Sequence, residues 1–301
     1  MLPTKFIDNL RKNIKGDIFL NELMKDNTFF HIGGPADIII PRDLSDLKNI
    51  LILASENNIP VTIIGNGTNL LVSDNGIEGI VIKIKDCLNN IVIEKQHITV
   101  GAGCLLSQLS KVVAIRGLTG LEFAIGIPGT VGGAVVMNAG AHGSEMSDAV
   151  TKAKVMNFTG EINELSKDDL EFGYRKSILQ KRDLIVLEAE IELKKDDAER
   201  IKEKMIKYLE WRKKNQPIDM PNAGSIFKNP KNDYAGRLID LAGCKGMKIG
   251  GAQVSELKAN FIINIGNSTA SDVLKLMNAV QKIVLEKYGV ELVPEIKIVG
   301  K

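Results

Sequence analysis

Residues 126–143 read Gly126-Ile-Pro-Gly-Thr-Val-Gly-Gly-Ala-Val-Val-Met-Asn-Ala-Gly-Ala-His-Gly143, and six of the eighteen are glycine. Each glycine loses backbone entropy on folding and brings no side chain to pack, so this density argues against a core strand or helix. It argues instead for backbone that must come very close to something else. Backbone N–H groups unshielded by a Cβ bind phosphate, and a helix start following them adds a favourable dipole. An ordinary turn needs one or two glycines, so turn formation alone does not account for the run.

A second small-residue loop precedes it. Pro60-Val-Thr-Ile-Ile-Gly-Asn-Gly-Thr-Asn-Leu-Leu-Val-Ser73 is a β-branched run opening into Gly65-Asn66-Gly67-Thr68-Asn69. A buried strand that ends in such a loop is where a parallel sheet places ligands. Leu70 stands where a dinucleotide fingerprint would carry its third glycine, and no Gly-Lys-Ser/Thr follows for a P-loop. Two loops of this kind in one chain suit one extended ligand whose pyrophosphate is held from two sides.

Working outward, residues 1–25 are expected to form an amphipathic helical lead-in with Phe6, Leu10, Ile14 and Ile18 on one face. A turn over 28–35 leads to a strand at 36–40. A helix follows over 47–57, with Ser45 or Asp46 near its cap, and then strands at 61–64 and 79–84. Beyond residue 90 the spacing predicts a hairpin of 91–94 with 98–101 and a helix over 105–115 stopped by Gly117. A second hairpin turns at Thr159-Gly160, and 184–193 is a strand that begins apolar and then alternates. The charged stretch 197–214 is a helix at a natural boundary. After it come a strand at 259–265, a capping box at Thr269-x-x-Asp272 opening a helix over 273–287 that Gly289 ends, and a terminal strand at 292–299.

The 301 residues suffice for two or three domains, and a net charge of +2 with 25% charged residues disfavours nucleic acid as a partner. No run of about 18 apolar residues suggests a membrane span. Cys87, Cys104 and Cys244 form neither a disulfide framework nor a metal knuckle, and His31, His97 and His142 are dispersed, so no metal is expected. The expected setting is the reducing cytoplasm. Only 8 of the 39 basic residues are arginine, which makes each arginine worth inspecting, because its planar fork recognises carboxylates and phosphates as lysine cannot.

Three polar spots fall outside the amphipathic pattern. Arg175 lies in Phe172-Gly-Tyr-Arg-Lys-Ser177, just before an apolar strand. Ser225, Lys228 and Asn229 are presented by Asn222-Ala-Gly-Ser-Ile-Phe-Lys-Asn-Pro230, without the Gly-x-Ser-x-Gly surround of a triad hydrolase. Glu295 interrupts the apolar terminal run, where a carboxylate is costly without a partner. Each also reads as an ordinary surface position.

Taken together these blocks resemble the UDP-N-acetylenolpyruvoylglucosamine reductase family: the 65–71 loop, the 126–141 run, Tyr174-Arg-x-Ser, Ala223-Gly-Ser-x-Phe-Lys-Asn-Pro and Pro294-Glu occur in order across nearly the whole chain. The resemblance implies an α+β chain. A two-subdomain FAD-binding module of the vanillyl-alcohol-oxidase type spans residues 1–90 and 91–200, and an α/β substrate-binding domain spans 201–301. It implies non-covalent FAD, NADPH as co-substrate, and reduction of an enolpyruvyl UDP-sugar by a monomer. Arg175 matches the arginine that stabilises the developing charge, Glu295 the active-site glutamate, and Ser225 the proton donor. FAD contacts are expected from Gly65, Asn66, Gly67, Thr68, Asn69 and Leu70. Others are expected from Gly126, Pro128, Gly129, Thr130, Gly132, Gly133, Ala134, Asn138, Ala139 and Gly140. Tyr174, Lys213, Lys228, Asn229 and Arg237 are the expected substrate contacts. No insertion in 175–200 supplies the extra tyrosine loop of some members, and Val293 stands where the family often has a second carboxylate. A covalent-flavin oxidase using His142, or a colourless nucleotide-sugar-binding module, are the competing readings. A purified yellow protein that releases its flavin in acid excludes both.

Overall fold

The glycine-rich run does contain a helix, Val131–Met137. What the run's composition hid is how closely that helix lies against the turn that follows the strand His97–Gly101. A Cβ built on Gly132 would stand 2.9 Å from the Ala102 Cβ, and the Gly132 N–H donates to the Ala102 carbonyl at 2.9 Å. Gly132 therefore lets the helix pack closely on that turn. Thr130 caps the helix through a bond from the Gly133 N–H, and Asn138 ends it in the left-handed region with φ +43°.

The computed structural model describes residues 2–85 and 87–300; Met1, at the head of the expected lead-in, Asp86 and Lys301 lie outside it. Two compact units emerge, made of residues 1–20, 37–66 and 79–210, and of 21–36, 67–78 and 211–301. The expected spans 1–90, 91–200 and 201–301 are continuous, whereas the observed second unit gathers two short early segments.

The first unit holds two sheets. A four-stranded sheet lies mostly within it, in the order Asp17–Leu23, Pro35–Ile40, Ile80–Lys83, Val61–Ile64. Its strands Pro35–Ile40 and Val61–Ile64 both run parallel to Ile80–Lys83, which separates them. The helix Leu44–Glu56 links them, with Asp43 as its cap rather than Ser45 or Asp46. Buried Asp46 instead accepts backbone N–H groups from Lys15 and Arg42. The five-stranded antiparallel sheet runs Ile162–Ser166, Val150–Asn157, Leu184–Glu192, His97–Gly101, Ile91–Glu94. One apolar core joins residues of both sheets with Leu106, Leu109 and Val113 of the helix Leu106–Ile115. The lead-in is a helix only over Thr4–Asn13, and Ile18 belongs to a strand. The chain is already extended at Ile14, and at Gly16, where a Cβ would meet the Ile40 carbonyl oxygen at 2.1 Å, only glycine fits against the neighbouring backbone.

The second unit has its own core, in which Phe30, Ile32 and Leu71 pack with Phe227, Leu238, Ile262, Leu276 and Val280. Its sheet pairs Lys248–Ile249, Ala252–Val254 and Ile262–Asn264 antiparallel. Strand Leu70–Val72 pairs in parallel with Lys297–Val299. The expected strands 259–265 and 292–299 are shorter, at Ile262–Asn264 and Lys297–Val299. Asn260 spends its side chain on the neighbouring backbone, and Pro294 has no N–H for a ladder. The Thr269/Asp272 capping box opens the helix Ala270–Tyr288, and Gly289 ends it at φ +65°. Among the described residues no helix is long and apolar enough to cross a membrane.

Asp74 ties an early segment to this helix, because its two carboxylate oxygens accept the Ala270 and Ser271 N–H groups at 2.7 and 3.0 Å. Asp74→Ala should cost about 1 kcal/mol, the usual value of a lost cap, read as a lower denaturation midpoint with unchanged slope.

Glu122 gives the fold a pH dependence. Burial would raise its pKa. Bonds from the Thr119 hydroxyl and the Gly120 N–H, with the Lys204 ammonium, outweigh burial and hold the carboxyl below the usual range. In the unfolded chain it titrates near 4.5. Its contribution is therefore complete above that pH and fades as pH falls through the lower folded value. Glu122→Gln should lower stability at neutral pH and flatten the acid limb of a melting-temperature profile; an unchanged acid limb would refute this.

Candidate active site

In the first unit the two small-residue loops meet. A Cβ on Gly65 would lie 2.3 Å from the Thr130 Oγ1, and the Asn66 side-chain amide donates to the Pro128 carbonyl at 2.7 Å. Backbone N–H groups of Gly65, Asn66, Gly129 and Thr130 have no protein acceptor among the described residues. Buried or half-buried N–H groups without partners are unusual, and several on abutting loops suit an anionic ligand. That donor set fits the pyrophosphate of a dinucleotide such as FAD. Gly126 ends a short 3-10 turn, Gly129 gives its carbonyl to the Leu106 N–H, and Ala134 is buried inside the helix. Ala139 donates to the Ala134 carbonyl, and Gly140 pairs with Glu145 in a two-residue hairpin.

The remainder of the 65–70 loop belongs to the second unit. Gly67 takes φ +65°, and a Cβ there would strike the Asn27 carbonyl oxygen at 2.3 Å. Thr68 is half-buried. Leu70 pairs with Lys297. Asn69 brackets Glu295: its side chain donates to the Glu295 carbonyl at 3.3 Å, and its own carbonyl accepts the Lys297 N–H at 2.9 Å.

Ser225 and Glu295 lie on adjoining backbone in that unit. Phe227 and Pro294 form an antiparallel bridge. The Glu295 N–H donates to the Ile226 carbonyl at 2.7 Å, and the Lys228 N–H to the Val293 carbonyl at 2.8 Å. Glu295 thus sits opposite Ile226, one residue from Ser225. Gly224, at φ +81°, turns the chain into this position, and its N–H is held by the Asn222 side chain. Asn260, nearly fully buried, accepts from the Phe227 N–H at 3.0 Å and donates to the Phe227 carbonyl at 2.7 Å. Its amide replaces a strand partner and locks the segment. Ser225 is half-buried, and its hydroxyl makes no hydrogen bond within the protein among the described residues. Sequence reading missed Asn260; the signal was an amide inside the apolar run 259–265.

Arg175 belongs to the first unit. Residues 173 and 176 exchange backbone bonds in both directions at 3.0 Å, which makes Tyr174 and Arg175 the corners of a tight hairpin. Arg175 takes φ +51°, a corner conformation usually filled by glycine or asparagine. Its guanidinium donates to the Gly140 carbonyl at 2.7 Å and the Asn138 carbonyl at 3.4 Å, and lies 5.1 Å from the centroid of the exposed Tyr174 ring. Fully buried Asn138 donates to the Gly173 carbonyl at 3.0 Å and to Glu145 at 2.8 Å.

Among the expected substrate contacts, Lys213 is an exposed residue in the last turn of the helix Ala198–Asn215. Lys228 is half-buried, and with the burial of Lys297 its cation holds the Lys297 pKa down. Asn229 accepts the Ala235 N–H at 3.1 Å at the start of the helix Ala235–Leu241. Arg237 is gripped by both oxygens of Asp233. His142 stacks on Tyr208, with ring centroids 3.9 Å apart. All three cysteines are buried, and burial pushes the Cys87 thiol up to about 11, far from a nucleophilic thiolate.

Two family models match the chain. Residues 35–166 match an FAD binding domain, and 216–299 match the C-terminal domain of UDP-N-acetylenolpyruvoylglucosamine reductase. The UDP-N-acetylenolpyruvoylglucosamine reductase of Caldanaerobacter subterraneus is 50% identical over 98% of both chains. The crystal structure of the corresponding Thermus caldophilus enzyme is similar with a TM-score of 0.82 and 37% identity, covering 95% of this chain and all of that one. Cholesterol oxidase from B. sterolicum, 14% identical with a TM-score of 0.50 over 65% of this chain and 39% of its own, shares the fold alone.

Proposed function

The chain belongs to the UDP-N-acetylenolpyruvoylglucosamine reductase family, and from that premise we propose that it reduces the enolpyruvyl ether of UDP-N-acetylglucosamine to UDP-N-acetylmuramate, a step in peptidoglycan precursor synthesis. FAD would be held non-covalently by the loops at 65–70 and 126–140, and when bound it would supply hydride chemistry between NADPH and the terminal vinyl carbon of the substrate. In this reading residues 1–90 and 91–200 form the two lobes that hold FAD, 201–301 bind the nucleotide sugar, and the protein works as a cytoplasmic monomer, where NADPH and UDP-sugars are made.

The observation that carries the residue assignment is the pairing of Ile226 with Glu295. It fixes the backbone of Ser225 and of Glu295 side by side, and the serine hydroxyl makes no hydrogen bond to the protein among the described residues. Hydride addition to the vinyl carbon leaves negative charge on the carboxylate-bearing carbon. Arg175 stabilises that enolate-like charge, and Glu295 serves as the active-site glutamate. Groups held in place before the charge develops need no reorganisation as it forms. Ser225 then gives its proton to the charged carbon. Tyr174, Lys213, Lys228, Asn229 and Arg237 bind the nucleotide sugar. The N–H groups of Gly65, Asn66, Gly129 and Thr130 hold the cofactor's pyrophosphate.

Anaerobic spectroscopy tests the reading. The purified protein should be yellow, release intact FAD in acid, lose its flavin absorbance on adding NADPH, and regain it with the enolpyruvyl UDP-sugar. A colourless protein, or bleaching that the sugar nucleotide does not reverse, would refute it.

A further inference from the structure

Arg175 holds a backbone conformation that arginine rarely adopts, and the atoms that keep it there lie outside the motif. The side-chain amide of Gln180, half-buried at the end of a short 3-10 turn, has two N–H bonds to give. It donates one to the Arg175 carbonyl at 3.1 Å and the other to the Val136 carbonyl at 3.0 Å. The Val136 carbonyl also accepts the Ser177 hydroxyl at 2.7 Å. Val136 lies in the helix whose following carbonyls, Asn138 and Gly140, receive the Arg175 guanidinium. Gln180 therefore clamps the backbone of Arg175 to the element that aims its side chain. Relaxation of Arg175 to negative φ would swing its carbonyl off the Gln180 amide and turn the guanidinium away from Gly140.

We propose that Gln180 is a positioning residue for the reductive step, holding Arg175 in the left-handed conformation in which its guanidinium meets the charge that forms on the substrate. This rests on the role of Arg175 given above. No other side chain in the described structure makes both of these bonds. Glutamine suits the place because a carboxylate of the same shape donates nothing, and an aliphatic chain of the same length neither donates nor accepts.

The experiment uses the FAD-loaded protein in single-turnover stopped flow, with Gln180→Met, Gln180→Glu and Arg175→Lys compared with the parent. Flavin reduction by NADPH should stay within about twofold in both Gln180 variants. Flavin reoxidation by the enolpyruvyl UDP-sugar should fall on the order of 10- to 100-fold, a shift in the conformational balance of one or two factors of ten. Equilibrium affinity for UDP-N-acetylmuramate and the melting temperature should change little, which a merely structural role would not allow. Reoxidation within twofold of the parent overturns the proposal, as do equal losses in both half-reactions and variants that fail to fold with FAD. If Arg175→Lys itself leaves reoxidation intact, the role of Arg175 fails instead, and the two failures are thereby told apart.

Discussion

Ser225→Ala should bind FAD and accept hydride from NADPH at close to the parent rate, yet turn over the enolpyruvyl UDP-sugar 10²–10⁴ times more slowly, about 3–5 kcal/mol of barrier. The expectation follows from where the serine stands. Its neighbours are held by the Asn222 bond to Gly224, by the Asn260 clamp on Phe227 and by the pairing of Ile226 with Glu295, while its hydroxyl makes no hydrogen bond to the protein among the described residues. Removing one oxygen from such a scaffold leaves the segment's backbone bonds untouched, so on the proposed role of Ser225 the expected loss is in the chemical step. The proton is needed only after the flavin has given up its hydride, which is why the first half-reaction is spared. Ser225→Cys should recover part of the rate, since a thiol also donates a proton. Near-normal single-turnover reduction in Ser225→Ala would refute the assignment. A defect confined to substrate affinity would do so too, because it would make Ser225 a binding group.

Features set by a few neighbouring residues were legible in the sequence. The Thr269/Asp272 capping box, the Thr159-Gly160 hairpin and Gly117 after the helix Leu106–Ile115 all stand where spacing and glycine chemistry put them. Pairings between distant segments were not. Nothing local in Leu70–Val72 says that its partner is Lys297–Val299, or that Phe30 and Ile32 pack with Leu276. Nothing in Ile80–Lys83 says that it lies between two strands that precede it. The glycine-rich run was correctly singled out, but its physics is mixed. Gly132 admits the turn at Ala102, Gly65 admits Thr130, and the N–H groups nearby are the ones offered outward. Ser225, Glu295 and Arg175 came from the family resemblance; polarity in an apolar setting marks such positions without giving them roles. The residues that hold them, Asn260 and Gln180, are uncharged amides, and an amide's partners are invisible without coordinates.

Arg175→Lys should divide the two half-reactions in the same sense as Ser225→Ala, but for an electrostatic reason. The parent guanidinium spends donors on the Gly140 and Asn138 carbonyls and keeps a planar face over Tyr174. A fork of five donors can stay anchored and still present N–H groups to a developing charge; a lysine ammonium on a flexible stem must choose. Reduction of the substrate should therefore fall on the order of 10²–10³-fold, the usual loss when one preorganised donor to a developing oxyanion is removed. Flavin reduction by NADPH, which develops no such charge beside Arg175, should stay within about threefold. Folding should survive, because the substitution keeps the charge and the bonds from Asn138 and Gln180 to the hairpin backbone do not depend on the side chain at 175. Equal loss in both half-reactions would mean that Arg175 binds anionic ligands in general. The charge it answers would then have to be met by other donors, and the left-handed backbone at this corner would need a different explanation.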